Sequence, residues 1–191
     1  MAVGRPAVFV DKDGTLVRDV PYNSDPALVE LVPGAGAALA ALRASGYLVL
    51  VVSNQSGLAR GLFTQQQLEA ATERLVELLA GAGTTIDGFA WCPHHPDGTV
   101  AELAIDCDCR KPHPGMLLRA ADEHDIDLAA SWMVGDILND IEAGARAGCR
   151  TVLVDVGSET EWLSGALRTP TATCGSLPEA AQVILDARGA A

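Results

Sequence analysis

Apolar residues fall along this chain in two alternating rhythms. Short apolar runs, rich in Val and Leu, occupy residues 7–10, 47–52, 86–91, 132–134 and 151–154. Their length and weak polar alternation predict strands buried on both faces. Longer stretches between them, at 34–45, 64–80, 114–124 and 137–147, and a last one at 177–187, predict helices. In the second, Leu68, Leu75, Leu78 and Leu79 form one stripe, and Thr64 stands where an N-cap belongs. Gly46 stops the first helix and Pro114 opens the third. Strands separated by helices imply βαβ units, hence an α/β fold with a doubly wound parallel sheet. The last helix is expected to pack on the edge of that sheet.

The 191 residues hold no internal repeat, low-complexity tract or flexible linker, and predict a single domain, 1–191, with a sizeable core. Segment 92–114 breaks the rhythm. It is too long for an ordinary connection, contains Pro, His and three cysteines, and needs its own source of order. The net charge of −12 argues against nucleic acid as a partner, because a phosphate backbone requires a basic footprint. Of the 13 basic residues only Lys12 and Lys111 are lysines, which makes their placement worth following. No apolar run is long enough to span a bilayer and no charged stretch precedes an apolar signal segment, so no membrane partner and a cytoplasmic location are expected. In that compartment the odd count of five cysteines points away from disulfides.

Polar residues of a particular kind cluster where the strands end. The first strand runs into Asp11-Lys12-Asp13-Gly14-Thr15, two carboxylates one residue apart at the edge of a parallel sheet where ligands bind. Such a pair repels itself unless a cation lies between the groups or one of them stays protonated, and Mg²⁺ beside an aspartyl nucleophile meets both conditions. An Asx-type turn closing a strand is the plain alternative. The second strand ends at Ser53, a hydroxyl able to donate to a phosphoryl oxygen, or part of a polar loop. Arg110 and Lys111 precede a helix and suit a phosphate, or form a solvated basic pair. The fourth strand ends in Gly135-Asp136, with Asp140 one helical turn on. Asp136 would complete an oxygen site with Asp11, and Asp140 would orient water or Lys111; a capped helix with a first-turn acid explains the same letters.

In their order along residues 8–155, these signals resemble the four motifs of the haloacid-dehalogenase superfamily: Asp11/Asp13, Ser53, Lys111 and Asp136/Asp140. The resemblance implies a Rossmann-like sheet of the haloacid-dehalogenase type, and its second acid, Asp13, indicates phosphoryl transfer. The intervals between motifs leave no room for a large cap domain. Within the irregular segment, Cys92-Pro93-His94 and Cys107-Asp108-Cys109 supply a Cys₃His set for a structural Zn²⁺, making residues 92–109 a zinc-binding loop. A disulfide or unrelated loop cysteines are the alternatives, and His95 or His113 would be the substitute imidazole. Cys149 reads as a small core residue, Cys174 as unpartnered and His124 as a helix-end surface residue.

The phrases around Cys92–Pro96 and Cys107–Leu117, with Asn54-Gln55-Ser56-Gly57 and Ala59-Arg60-Gly61, are similar to the D-glycero-D-manno-heptose 1,7-bisphosphate 7-phosphatases. That resemblance implies a Mg²⁺-dependent phosphatase removing the C7 phosphate of a sugar bisphosphate through an aspartyl-phosphate. Asp11 is then the nucleophile and Asp13 the acid and base. Ser53 and Lys111 clamp the phosphoryl group. Mg²⁺ sits on the side chains of Asp11 and Asp136 and the main-chain carbonyl of Asp13. Asp19 and Tyr22 line the pocket, while Asn54, Gln55 and Arg110 bind substrate. At the position after Asp136, where these phosphatases often carry Lys, this chain has Ile137. Histidinol-phosphate phosphatases share the four motifs and the zinc loop; a catalytically inactive, zinc-ordered binding module is the reading outside enzymology. A monomer is expected, since an aromatic content of 4% gives no interface signal.

Overall fold

A computed structural model describes residues 4–189. The chain alternates strand and helix: β1 (Ala7–Val10), α1 (Ala35–Ala44), β2 (Leu48–Asn54), α2 (Gln65–Gly81), β3 (Gly88–Cys92), α3 (Gly115–His124), β4 (Trp132–Gly135), α4 (Leu138–Ala147), β5 (Arg150–Val154), β6 (Ala172–Cys174) and α5 (Leu177–Gly189). The strands form one six-stranded sheet in the order β3-β2-β1-β4-β5-β6, and every pairing is parallel. The order reverses between β1 and β4, and ligands of such sheets bind at that crevice, beyond the carboxyl ends of the strands.

Two-residue periodicity divides the strands between two cores. Val8, Val10, Val49, Val51 and Val134 pack with Leu39 and Leu42 of α1, Leu75 and Leu79 of α2, and Ala180, Ala181 and Ile184 of α5. Ala7, Phe9, Leu50, Val52 and Met133 point the other way, onto Met116, Leu117 and Ala120 of α3 and Ala143 and Ala147 of α4. Each large side chain fully removed from water here contributes roughly 1.5–3 kcal/mol. Covering on both faces is why β1 and β2 read as continuous apolar runs. Cys149 sits in the second core, as expected of a small buried thiol.

Helix α2 begins where its cap residue foretells. The Thr64 hydroxyl accepts from Gln67 N at 3.3 Å, and the Gln67 side chain accepts from Thr64 N at 2.8 Å. Three features differ from the sequence expectation. Helix α5 does more than cover the edge strand β6: it also packs against α1 over the first core, with Ala180 and Ala181 buried there. Strand β6 lies outside the five predicted strands; three residues beside Pro170 are too few to show a period. Strand β2 continues through Ser53 and Asn54, which pair with Trp91 and Cys92 of β3. Polar side chains do not interrupt a backbone ladder, so the end of this strand carries chemistry rather than core. No large insertion separates β1 from β2 among the described residues; that interval holds a 3₁₀ turn at Pro26–Leu28 and α1.

Candidate active site

Asp11 ends β1 beside the reversal point, its main-chain N–H donating to Val134 O of β4 at 2.9 Å. The chain then turns sharply at Gly14, which has a φ of +87°. A Cβ there would lie 2.0 Å from the Asp136 Oδ2, so only glycine lets the β1 loop approach the β4 loop this closely. Opposite, Gly135 lies under Asp140, where a Cβ would sit 2.3 Å from that carboxylate. Both glycines are cut away to make room for acids.

Lys111 enters from the far side, just after the cysteine-rich loop, and only 3% of it is exposed. Its ammonium donates to Asp11 Oδ1 at 2.5 Å and to Val52 O at 3.0 Å, and lies 2.6 Å from Asp140 Oδ1. Two donors of the amine are thus engaged in hydrogen bonds, and Asp140 adds an ion pair. Burial opposes its charge, yet Asp11 and Asp140 hold Lys111 above its ordinary value. The second acid of the β1 loop has partners of its own. Asp13 accepts from Lys12 Nζ at 2.6 Å on one oxygen and from Gln55 Nε2 at 3.0 Å on the other, and the same Gln55 amide donates to Ser53 Oγ at 2.7 Å. Asn54 makes a reciprocal pair with the main chain of Lys111, donating to its carbonyl and accepting from its N–H, both at 3.0 Å.

These groups frame a cavity of about 230 Å³, lined by Asp11, Asp13, Asp19, Ser53, Asn54, Lys111, Asp136, Ile137, Asp140 and Ser158. Of the residues singled out in the sequence, Tyr22, Gln55 and Arg110 lie outside that lining. Gln55 reaches the site through Asp13 and Ser53, while the Asn54 amide is spent on Lys111. Tyr22 has a φ of 54° and half its surface exposed. Ser158 is not among the residues that the sequence pattern picks out. It follows β5 as Ser53 ends β2, a hydroxyl beyond a strand, and that placement is the signal that would have found it.

The carboxylates outnumber their counter-ions. Oxygens of Asp11, Asp136 and Asp140 lie within 4.8 Å of one another, all buried. Burial, only partly offset by Lys111, pushes Asp11 well above the usual carboxylate range. Burial and the Asp140 charge push Asp136 up to about 6. A divalent cation is the natural complement to such a set. With Asp140 occupied by Lys111 and by Ile137 N at 3.3 Å, the oxygens free to hold it belong to Asp11, Asp136 and the main chain. The Asp13 carboxylate is turned away from this cluster, onto Lys12 and Gln55.

A second cluster brings together Cys92, at the end of β3, with His94, Cys107 and Cys109. Four of the sulfur and nitrogen separations are 3.0 Å (Cys92–Cys109), 3.3 Å (Cys107–Cys109), 3.5 Å (Cys92–Cys107) and 3.3 Å (His94 Nδ1–Cys109). Thiolates about 2.3 Å from one tetrahedral zinc would stand about 3.8 Å apart, and these atoms are already close to that figure. The set fits zinc. Cys109 leads directly to Arg110, whose Nη1 reaches His94 O at 3.4 Å. Beyond it, Arg60 Nη2 lies 3.1 Å from His95 Nε2. Burial and the charges of Arg110 and Arg60 lower His95 below the usual histidine value.

Comparison with known proteins converges on one group. A family of HAD-hydrolase-like proteins matches residues 108–180. The D-glycero-beta-D-manno-heptose-1,7-bisphosphate 7-phosphatase of Salmonella typhi is 48% identical over 158 residues, 82% of this chain and 84% of that protein. Its counterpart in Escherichia coli K12 is also 48% identical over 158 residues, covering 82% of this chain and 83% of that protein. Among solved structures, D,D-heptose 1,7-bisphosphate phosphatase from B. bronchiseptica, complexed with magnesium and phosphate, superposes with a TM-score of 0.82. It is 36% identical, over 95% of this chain and 99% of that one.

Proposed function

Since this chain belongs to the haloacid-dehalogenase-like hydrolases, among the D-glycero-D-manno-heptose 1,7-bisphosphate 7-phosphatases, we propose that it removes the C7 phosphate of that sugar bisphosphate. The observation that carries this reading is the convergence of Asp11, Asp13, Ser53, Lys111 and Asp136 on one cavity at the reversal point of the sheet. Lys111 fixes Asp11 Oδ1 and leaves the other oxygen to attack phosphorus in line. As the bond from phosphorus to the C7 oxygen breaks, Asp13 protonates the departing oxygen. Asp11 then carries the phosphoryl group as an aspartyl-phosphate. Asp13, now a base, takes a proton from the water that hydrolyses it, so phosphate leaves, Asp11 returns as a carboxylate and Asp13 returns to its protonated form. Gln55 keeps Asp13 aimed, and Ser53 donates to the phosphoryl oxygens. Asp11, Asp136 and the Asp13 carbonyl would hold Mg²⁺, which neutralises charge on the transferring phosphoryl group.

Cys92, His94, Cys107 and Cys109 would hold a structural Zn²⁺, keeping Arg110 and Lys111 in place. No helix among the described residues is long and apolar enough to cross a membrane. On this reading the enzyme works as a cytoplasmic monomer on a free sugar phosphate. The test is kcat/KM with Mg²⁺ for both anomers of the heptose 1,7-bisphosphate beside histidinol phosphate. A preference above about 100-fold for one heptose anomer, nearly 3 kcal/mol of transition-state discrimination, is expected. Equal or better turnover of histidinol phosphate would overturn the assignment while leaving the chemistry intact.

A further inference from the structure

The chain between β5 and β6, residues 155–171, holds only a 3₁₀ turn at Ala166–Arg168. A connection of that length without further secondary structure needs a reason. From Asp155 to Leu167 every residue is exposed except two neighbours, Ser158 and Glu159, which are half-buried. Val156, Trp162 and Leu163 stand more than half in solvent, so apolar packing does not hold this segment down. Its own bonds are local: Gly157 N donates to Asp155 Oδ1 at 3.3 Å, and Glu161 N to Glu159 Oε1 at 2.8 Å. Glu159 is where the segment meets the rest of the molecule. Its other oxygen, Oε2, accepts at 2.7 Å from Leu138 N, in the first residue of α4.

A helix leaves its first N–H groups without partners of its own. At α4, Asp140 takes Ile137 N, and Glu159 takes Leu138 N from 21 residues further along the chain. A carboxylate there also complements the positive end of the helix. This cap joins a residue next but one to Asp136 with the neighbour of Ser158. Asp136 Oδ2 and Ser158 Oγ border the same point, where a Gly14 Cβ would stand 2.0 and 3.4 Å from them, and both residues line the catalytic cavity. The Ser158 hydroxyl hydrogen-bonds the Asp136 carboxylate, opposing the rise that burial and Asp140 impose on it. From the other side the Thr15 hydroxyl donates to Asp136 Oδ1 at 3.4 Å. We propose that Glu159 is a positioning residue: by capping α4 at Leu138 N it holds Ser158 against Asp136, and so sets the carboxylate that Asp136 offers to Mg²⁺. The inference rests on the metal-dependent reaction proposed above. Outer partners of this kind aim the ligands of a metal, and their loss weakens metal binding about 10–100-fold.

The test is a calorimetric titration of phosphate-free, zinc-loaded protein with Mg²⁺, beside the Mg²⁺ dependence of heptose 1,7-bisphosphate turnover. In Glu159→Ala, half-saturation is expected to rise about tenfold in both measurements, while kcat at saturating Mg²⁺ changes far less. Hydrogen exchange at the Leu138 amide accelerates in the same variant. Glu159→Gln keeps an oxygen for Leu138 N and gives up only the local bond from Glu161 N, so it binds Mg²⁺ nearly as wild type does. Ser158→Ala weakens Mg²⁺ binding in the same way. The double variant is no weaker than Glu159→Ala alone, because Glu159 acts through Ser158. Unchanged Mg²⁺ affinity in Glu159→Ala, or additive losses in the double variant, overturns the assignment. Zinc content and circular dichroism report folding, and if Glu159→Ala does not fold, wild-type affinity in Ser158→Ala overturns it instead. A wild type that binds Mg²⁺ and leaves heptose 1,7-bisphosphate intact overturns the proposed function, while the calorimetric result on Glu159 stands by itself.

Discussion

At Lys111 one ammonium serves Asp11, Asp140 and the Val52 carbonyl, with 3% of the residue exposed. Replacing it by Met strands two carboxylates in the interior. Chemical denaturation of Lys111→Met is expected to show a loss of about 3–5 kcal/mol, the usual consequence of breaking a buried pair from one side. The opposite sign is expected at Asp136. Its carboxyl titrates near 6 in the folded protein, above the unfolded value, so ionisation costs stability. That cost is absent below pH about 4 and complete above the folded value. Asp136→Asn removes it, and at pH 7.5 without metal the variant should melt higher than wild type, by about 1–2 kcal/mol of stability, while losing turnover. A variant that melts lower would mean the acids there are not in mutual strain. Cys149, whose thiol burial pushes up to about 12, should resist alkylation at pH 8 until the protein unfolds.

Elements are legible in the sequence to different degrees, for physical reasons. The buried strands and their helices follow from pattern because both faces of this sheet are covered, and Thr64 announces α2 through its own side chain. Thr64→Ala should therefore cost about 1 kcal/mol, with no change in kcat. Strand β6 escapes because it depends on a tertiary pairing that no local period encodes, whereas Ser158 had a signal, a hydroxyl just beyond a strand, that the motif order does not include. The cysteine-rich loop is readable from ligand types, but not its coupling to the sheet, since the pairing of Asn54 opposite Cys92 is a matter of register. Sequence likeness makes Asn54 and Gln55 substrate ligands. The fold gives both a further task, tying Asn54 to the Lys111 backbone and Gln55 to Asp13 and Ser53. Cys107→Ser is expected to lower zinc content below one per chain and to depress kcat/KM roughly tenfold or more. An active, zinc-free Cys107→Ser protein would sever the loop from the chemistry.

In the molecule as a whole, the acids come from β1 and β4, one hydroxyl from β2, and the lysine from a segment beyond β3. Only the sheet order, reversing at β1 and β4, makes these distant parts of the chain neighbours. Motif order in the sequence signals the assembly without revealing its geometry. The Asn54–Lys111 pair has a mechanical meaning at this scale. Two antiparallel hydrogen bonds between a side-chain amide and a main-chain peptide, both at 3.0 Å, join loop to strand as a rivet joins two plates. A plate held at one point pivots, but one held at two points on a shared plane does not. The segment that carries the lysine is therefore held against the end of β2 in one orientation, and cannot swing about a single contact.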